Sequence, residues 1–232
     1  MAEKKIVKLA AVTSAPANAQ SETDRLVKEL RRRIVGHELP PGTRLRENEL
    51  ADEFDVSRGR VRDAFGVLEE RGLIERIPNK GAVVTRLEAD RIQELFEVRE
   101  FLEAAMVRLA TQRAAPETWD RLLEVFGDGL EKAVADNNFD AYMDAIIHFR
   151  TTCIAAAENE TLKSLLDSIY DRIQGMTRRL VLVPGRAAEG FRQHQEILRA
   201  MRAGDADRAE QLKRENIRSA REWFQKYQNY LL

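Results

Sequence analysis

The texture of the chain changes once, and sharply, near Arg86. Before that point short periodic segments alternate with turn signals. Beyond it breakers become rare, and long amphipathic helical patterns follow one another to Leu231. A single uniform domain does not produce such a change, so the pattern predicts two folding units with a boundary between Arg86 and Asp90. The competing reading, one continuous domain that opens on a helical hairpin, leaves the shift unexplained.

Punctuation defines the first unit. Leu26, Val27, Leu30 and Ile34 recur at helical spacing, and the run stops in a turn from Val35 to Gly42 that holds two glycines and a Pro-Pro pair. A second helix over Glu47–Phe54 buries Leu50 and Phe54. Ser57 is a good N-cap for a third helix to about Arg71, and Gly72 supplies its stop. Two strand-like pieces, Leu73–Ile77 and Ala82–Thr85, flank Pro78-Asn79-Lys80-Gly81, which reads as a hairpin tip. Helix, helix, turn, helix, hairpin is the order of a winged helix-turn-helix.

The expected division is a mobile tail over 1–20, a winged helix-turn-helix over 21–87, and an all-α helical bundle over 88–232. Six helices are expected in the bundle: Ala89–Ala115, Pro116–Asn137, Phe139–Ala157, Thr161–Val183, Ala187–Ala203 and Asp205–Leu231. Hydrophobic residues at 44% and charged residues at 33% suit a folded globular chain and exclude a disordered one. No run of 18 apolar residues exists to span a membrane, and the first residues are too broken for a signal peptide. The single cysteine, Cys153, excludes an intrachain disulfide and fits a reducing cytoplasm.

Net charge is −1, which leaves nucleic acid open as a partner. Over Thr23–Arg86, 14 Lys and Arg face 12 Asp and Glu, a balance of +2 that says little, because a local basic face can hide in such a sum. Placement says more. On the third helix Val61, Ala64, Phe65 and Leu68 form one apolar face, while Arg58 and Arg62 stand one turn apart outside it. Arg60 is displaced well around from both. Guanidinium groups so placed can donate bidentately to guanine in the major groove of double-stranded DNA. Arg46 and Asn48, at the start of the second helix, are candidate phosphate clamps, and Lys80 beside Gly81 is a candidate contact of the hairpin tip. Taken singly, each of these is as well explained by a solvated surface; together with the spacing and the hairpin they point to DNA.

In the second unit Asp144 and His148 lie four apart in one helix, with His194 two helices later. A carboxylate and two imidazoles can hold zinc, nickel, manganese or iron. On spacing alone an ordinary polar set explains them better. Arg99 and Glu103, also four apart, read equally as an intrahelical pair. His37, Cys153, Trp119, Trp223 and Phe224 read as structural, packing or interface residues.

The run Gly36-x-Glu38-Leu39-x-Pro41-Gly42-x-Arg44-Leu45-x-Glu47-x-x-Leu50-Ala51, with Val56-Ser57-Arg58-x-x-Val61-Arg62-Asp63-Ala64, Leu68-Glu69-x-x-Gly72-Leu73 and Gly81, resembles the winged-helix signature of the GntR regulators. In that resemblance Arg58 and Arg62 match operator-contacting arginines, and the wing assists them. Between them the family usually carries Thr or Ser and then Pro or Thr, where this chain has Gly59 and Arg60. The segments Asp144-x-x-x-His148, Asn159-x-x-Leu162 and His194-x-x-Ile197-Leu198-x-Ala200-x-x-x-Gly204-Asp205-x-x-x-Ala209 resemble the FCD ligand-binding domain of the FadR-type branch, in its six-helix, VanR-like form. The resemblance implies a metal held by Asp144, His148 and His194, with the fourth ligand position on Asn216, a weaker and uncharged donor, so the set either keeps an ion on three protein ligands or leaves a polar effector pocket without one. It also implies an effector pocket faced by Arg99, with Glu103, Asn159 and Asn216 as further candidates, a small and commonly anionic effector, and a homodimer.

The expectation that follows is a cytoplasmic, ligand-responsive repressor, homodimeric on a pseudo-palindromic operator. A metal-dependent hydrolase is disfavoured because no nucleophile elbow or phosphate loop accompanies the metal set. An adaptor whose winged helix binds protein would show no salt-dependent DNA affinity.

Overall fold

The computed structural model describes residues 17–78 and 80–232, and residues 17–21 by their backbone only. Residues 1–16 of the tail expected over 1–20, and Asn79 at the hairpin tip, lie outside the described residues, while 17–20 are helical rather than tail. The first helix, α1, runs Ala17–Val35, so it starts earlier than its apolar periodicity announces.

α1 packs across α3 (Arg58–Glu70), with α2 (Glu47–Phe54) between them in sequence. Leu26, Leu30, Val61, Ala64, Phe65 and Leu68 meet in one buried cluster, and removing the larger of these side chains from water stabilises by roughly 1.5–3 kcal/mol each. Ser57 caps α3 by accepting from the Arg60 amide, and Gly72, at φ +67°, turns the chain out of it.

The hairpin is β2 (Ile74–Ile77) and β3 (Gly81–Val84). A two-residue strand, β1 (Arg44–Leu45), pairs antiparallel with β3, giving the order β1-β3-β2. Two residues carry no readable alternation, so β1 has no signature in the sequence. Its register, Leu45 opposite Ala82, ties the start of α2 to the wing.

The helical body consists of α4 (Ala89–Arg113), α5 (Asp120–Val125), α6 (Asp128–Ala135), α7 (Phe139–Ala156), α8 (Glu160–Val181), α9 (Arg186–Arg202) and α10 (Ala206–Leu231), with a 3-10 turn over Pro116–Trp119. The helix expected over Pro116–Asn137 is therefore three pieces. Its break falls at Phe126 and Gly127: Phe126 is driven into the core against Phe149, Phe191 and His194, and the extended Gly127 then supplies the carbonyl that starts α6. α4 and α10 lie antiparallel along each other, joined by Arg108 to Asp207 and Glu210, Arg218 to Glu100, and Arg221 to Glu97. No helix among the described residues is long and apolar enough to cross a membrane.

α8 is the element that meets both units. Its Asp171, only 4% exposed, accepts from Arg31 Nε of α1 at 2.6 Å and from Arg71 Nη1, at the end of α3, at 3.3 Å. Arg172 Nε donates to the Arg71 carbonyl at 2.8 Å, and its guanidinium crosses Gly72 where any Cβ would collide with it. One turn further on, Gly175 leaves room for the ring of His37, so the head's Gly-Pro turn rests directly on the helix.

Candidate functional site

The head gathers most of its expected DNA contacts on one face. Arg46, Asn48, Arg58, Lys80 and Gly81 line a shallow hollow between the start of α2, the start of α3 and the wing, and Arg44 and Arg76 join them. β1 makes this possible by anchoring Arg44 and Arg46 beside β3. Arg62 donates through Nε to Glu47 Oε2 at 2.8 Å, and Arg58 Nη2 stands 3.7 Å from the same oxygen. One carboxylate thus holds two exposed guanidiniums side by side on the outer flank of α3. Arg46 pairs with Glu49 at 2.6 Å. These pairs are solvated, so exchanging them for phosphate or base contacts costs little.

Arg60 is not among the residues lining that hollow. At 100° per residue it falls on the opposite flank of the apolar face from Arg58 and Arg62, and it pairs with Asp63 at 3.4 Å. Gly59 and Gly66 lie between the two flanks, beside the exposed Asp63 and Glu70, and neither glycine has anything but Ser57 near its missing Cβ.

In the body, the three residues expected to hold a metal do not converge. Asp144 and His148 are exposed on the outer side of α7, while His194 is buried in the bundle. The spacing of four put the first two on one face correctly, but α7 turns the other face inward, with Tyr142, Ile146, Phe149 and Arg150 toward the interior. Among the described residues no group of three or more His, Cys, Asp and Glu stands close enough to hold an ion. Asn159, expected at the effector, instead caps α8 by accepting from the Leu162 amide at 3.0 Å and is not among the residues lining the cavity.

Arg99, Glu103 and Asn216 do meet, in a cavity of about 50 Å³ enclosed by α4, α7, α8, α9 and α10. Arg99 Nε donates to Glu103 Oε1 at 2.8 Å, and Lys213 Nζ donates to Glu103 Oε2 at 2.8 Å and to Asn216 Oδ1 at 3.1 Å. Burial alone would raise the Glu103 carboxyl, but Arg99, Lys213 and Arg150 hold it well below the usual carboxylate range. Burial draws the Lys213 ammonium down, against the pull of Glu103.

The Arg150 guanidinium carbon stands over the Tyr170 ring, 3.4 Å from its centroid, and Arg186 reaches in from the start of α9. Both guanidiniums have their pKa lowered by burial. Arg186 Nη1 and the Tyr170 hydroxyl are buried with no hydrogen-bond partner. His194 Nδ1 donates to the Gly190 carbonyl at 2.7 Å, and burial, with Lys213 nearby, pushes its pKa down to about 3. The ring is therefore neutral, with Nε2 its accepting nitrogen.

Arg150, Arg186 and Lys213 went unnoticed in the sequence. The body carries many basic residues, and only the packing distinguishes the buried ones.

A reading head with an exposed arginine pair, set on a helical body whose cavity gathers charged side chains against an apolar wall, defines the class of ligand-responsive transcription regulators. The family models agree: residues 22–84 match the bacterial regulatory proteins of the gntR family, and residues 94–219 match the FCD domain. The chain belongs to the GntR family, with an FCD domain behind its winged helix. It is 35% identical over 144 residues to the Nta operon transcriptional regulator of Aminobacter aminovorans, across 60% of this chain and 66% of that one. It is 28% identical over 208 residues to the HTH-type transcriptional repressor RspR of Escherichia coli strain K12, covering 88% and 89% of the two chains. Its fold is that of E. coli McbR/YncC, with a TM-score of 0.71, 20% identity, and coverage of 89% and 98%. The family and these relatives are regulators rather than enzymes.

Proposed function

We propose that this chain is a homodimeric repressor that leaves a pseudo-palindromic operator when a small organic anion enters the cavity of its body. One observation carries the anion: four basic side chains, Arg99, Arg150, Arg186 and Lys213, line an enclosed cavity with Glu103 as the one carboxylate among its lining residues. Buried positive charge without a partner is costly, and a ligand of opposite charge removes that cost. A relative named as a repressor supports the sign of the response.

Dimerisation supplies the second head that a twofold operator requires. Val98 and Phe101, three apart and both exposed on α4, give a second copy an apolar surface to cover. α8 links the two activities, since Thr177, Leu180 and Val181 line the cavity while Asp171 and Arg172 hold the end of the recognition helix. An anion that shifts α8 therefore acts on the head, provided it binds the two placements with different affinity.

Enrichment of bound fragments from genomic DNA, followed by footprinting, tests this reading. Two protected half-sites about one helical turn apart are expected. Failure to enrich any sequence would sink it.

A further inference from the structure

A divalent ion is the cation that the family resemblance implies for this bundle, and the residues present do not fit one. Asp144 and His148 face outward. His194, the remaining candidate, sees Lys213, whose charge helps hold the ring neutral, and the Asn216 carbonyl oxygen is already taken by the same ammonium. An added dication would share a small space with an ammonium and three guanidiniums, offset by Glu103 alone. We propose that the cation of this cavity is built into the chain: Lys213, fixed by Glu103 and Asn216, together with Arg186 and Arg150, takes the carboxylate of a short organic acid directly, with no metal. This rests on the regulator reading and specifies the chemistry of its effector site.

The parts are fixed in place. Lys213 is 4% exposed and has two acceptors within 3.1 Å, leaving one N–H of its three for a ligand. Asn216 is held in turn by donating to Gln193 Oε1 at 2.8 Å. Arg186 is 8% exposed, and its Nη1 is a buried donor without an acceptor. Gly190, one turn along α9, has no Cβ where one would press on that guanidinium and on Tyr142. Buried donors are nearly always satisfied, so an orphan on a guanidinium that shares its cavity with Arg150 and Lys213 is a place for an acceptor that arrives with the ligand.

Size sets the class. About 50 Å³ holds roughly three or four water-sized probes, hence an acid of about two to four carbons. Phe96, Phe149, Leu180 and Ile217 supply an apolar wall for its carbon chain.

The test uses the full-length protein, stripped with chelator and then divided, one half reconstituted with zinc, nickel or manganese. Metal content is measured by elemental analysis, and acetate, pyruvate, malonate and succinate are titrated by calorimetry and thermal shift. The expected result is metal well below one per chain after reconstitution, with at least one acid binding equally in both halves. Lys213→Met and Arg186→Gln should each weaken that acid by about tenfold or more, as expected for loss of a charged hydrogen bond. His148→Ala should leave it unchanged. Lys213→Arg keeps the charge, and should retain more affinity than Lys213→Met if the latter folds poorly.

Stoichiometric metal lost in His148→Ala and His194→Ala, or acid binding that needs the ion, overturns the built-in cation and leaves the regulator reading standing. Binding of none of the four acids overturns the assigned ligand class. Failure to enrich operator DNA strikes the regulator reading itself, independently of these titrations.

Discussion

At the scale of single residues, the proposed reading rests on a few side chains whose partners are already chosen. Arg62 and Arg58 share Glu47, so the pair is presented in one direction before DNA arrives. Arg62→Ala should lower operator affinity by about tenfold to 100-fold in a gel-shift titration, the range for one bidentate base contact. An effect confined to nonspecific DNA would instead make Arg62 a phosphate contact.

His194 has a pH consequence whose sign is fixed. Its ring titrates near 6.5 in an unfolded chain and near 3 in the bundle, so between those values the unfolded chain carries a proton that the folded one lacks. Stability is therefore unaffected by this group above about pH 6.5 and falls as pH drops toward 3. Glu103 adds to the fall below its ordinary value of 4.5, because its folded carboxyl is held lower. Thermal midpoints should be flat from pH 7 to 8 and decline from pH 6 to 4, and His194→Gln should flatten the part between 6.5 and 4.5. An unchanged slope in that variant would assign the effect to another group.

Among the elements, α8 has two faces with different neighbours. One lines the cavity through Thr177, Leu180 and Val181; the other presents Asp171 and Arg172 to α1 and the end of α3. Asp171→Asn keeps the shape and removes the charge that Arg31 and Arg71 share. The expected outcome is effector affinity within about twofold of wild type, and an effector-driven loss of operator affinity reduced by about fivefold or more. Calorimetry for the acid and gel shifts with and without it separate the two. Equal damage to both measurements would mean that Asp171 only supports the fold. The break between α5 and α6 is also a matter of elements, since Phe126 reaches the ring of His194 only because the helix stops there.

Across the whole molecule, DNA affinity should fall steeply with salt. If the two heads of a dimer each neutralise three to five phosphates, the fall between 50 and 200 mM is about 10³–10⁵-fold, and an affinity indifferent to salt would favour an adaptor. Much of this plan was legible in the residues. Caps, glycine stops and apolar periodicity are local signals, so Ser57, Gly72 and the face of Val61, Ala64, Phe65 and Leu68 gave α3 and its outward arginines directly, and the change of texture at Arg86 gave a helical body. The first long helix was legible with its Arg99–Glu103 pair. By itself the sequence determined which residues share a helix face, since that follows from 3.6 residues per turn. Only the tertiary structure decided which face turns inward. α7 buries Phe149, half-buries Arg150 and leaves Asp144 and His148 outside, because the bundle removes more apolar surface from water that way. The same packing carried Lys213, Arg150 and Arg186 from three helices into one cavity, and no spacing along the chain encodes a meeting between helices so far apart in sequence.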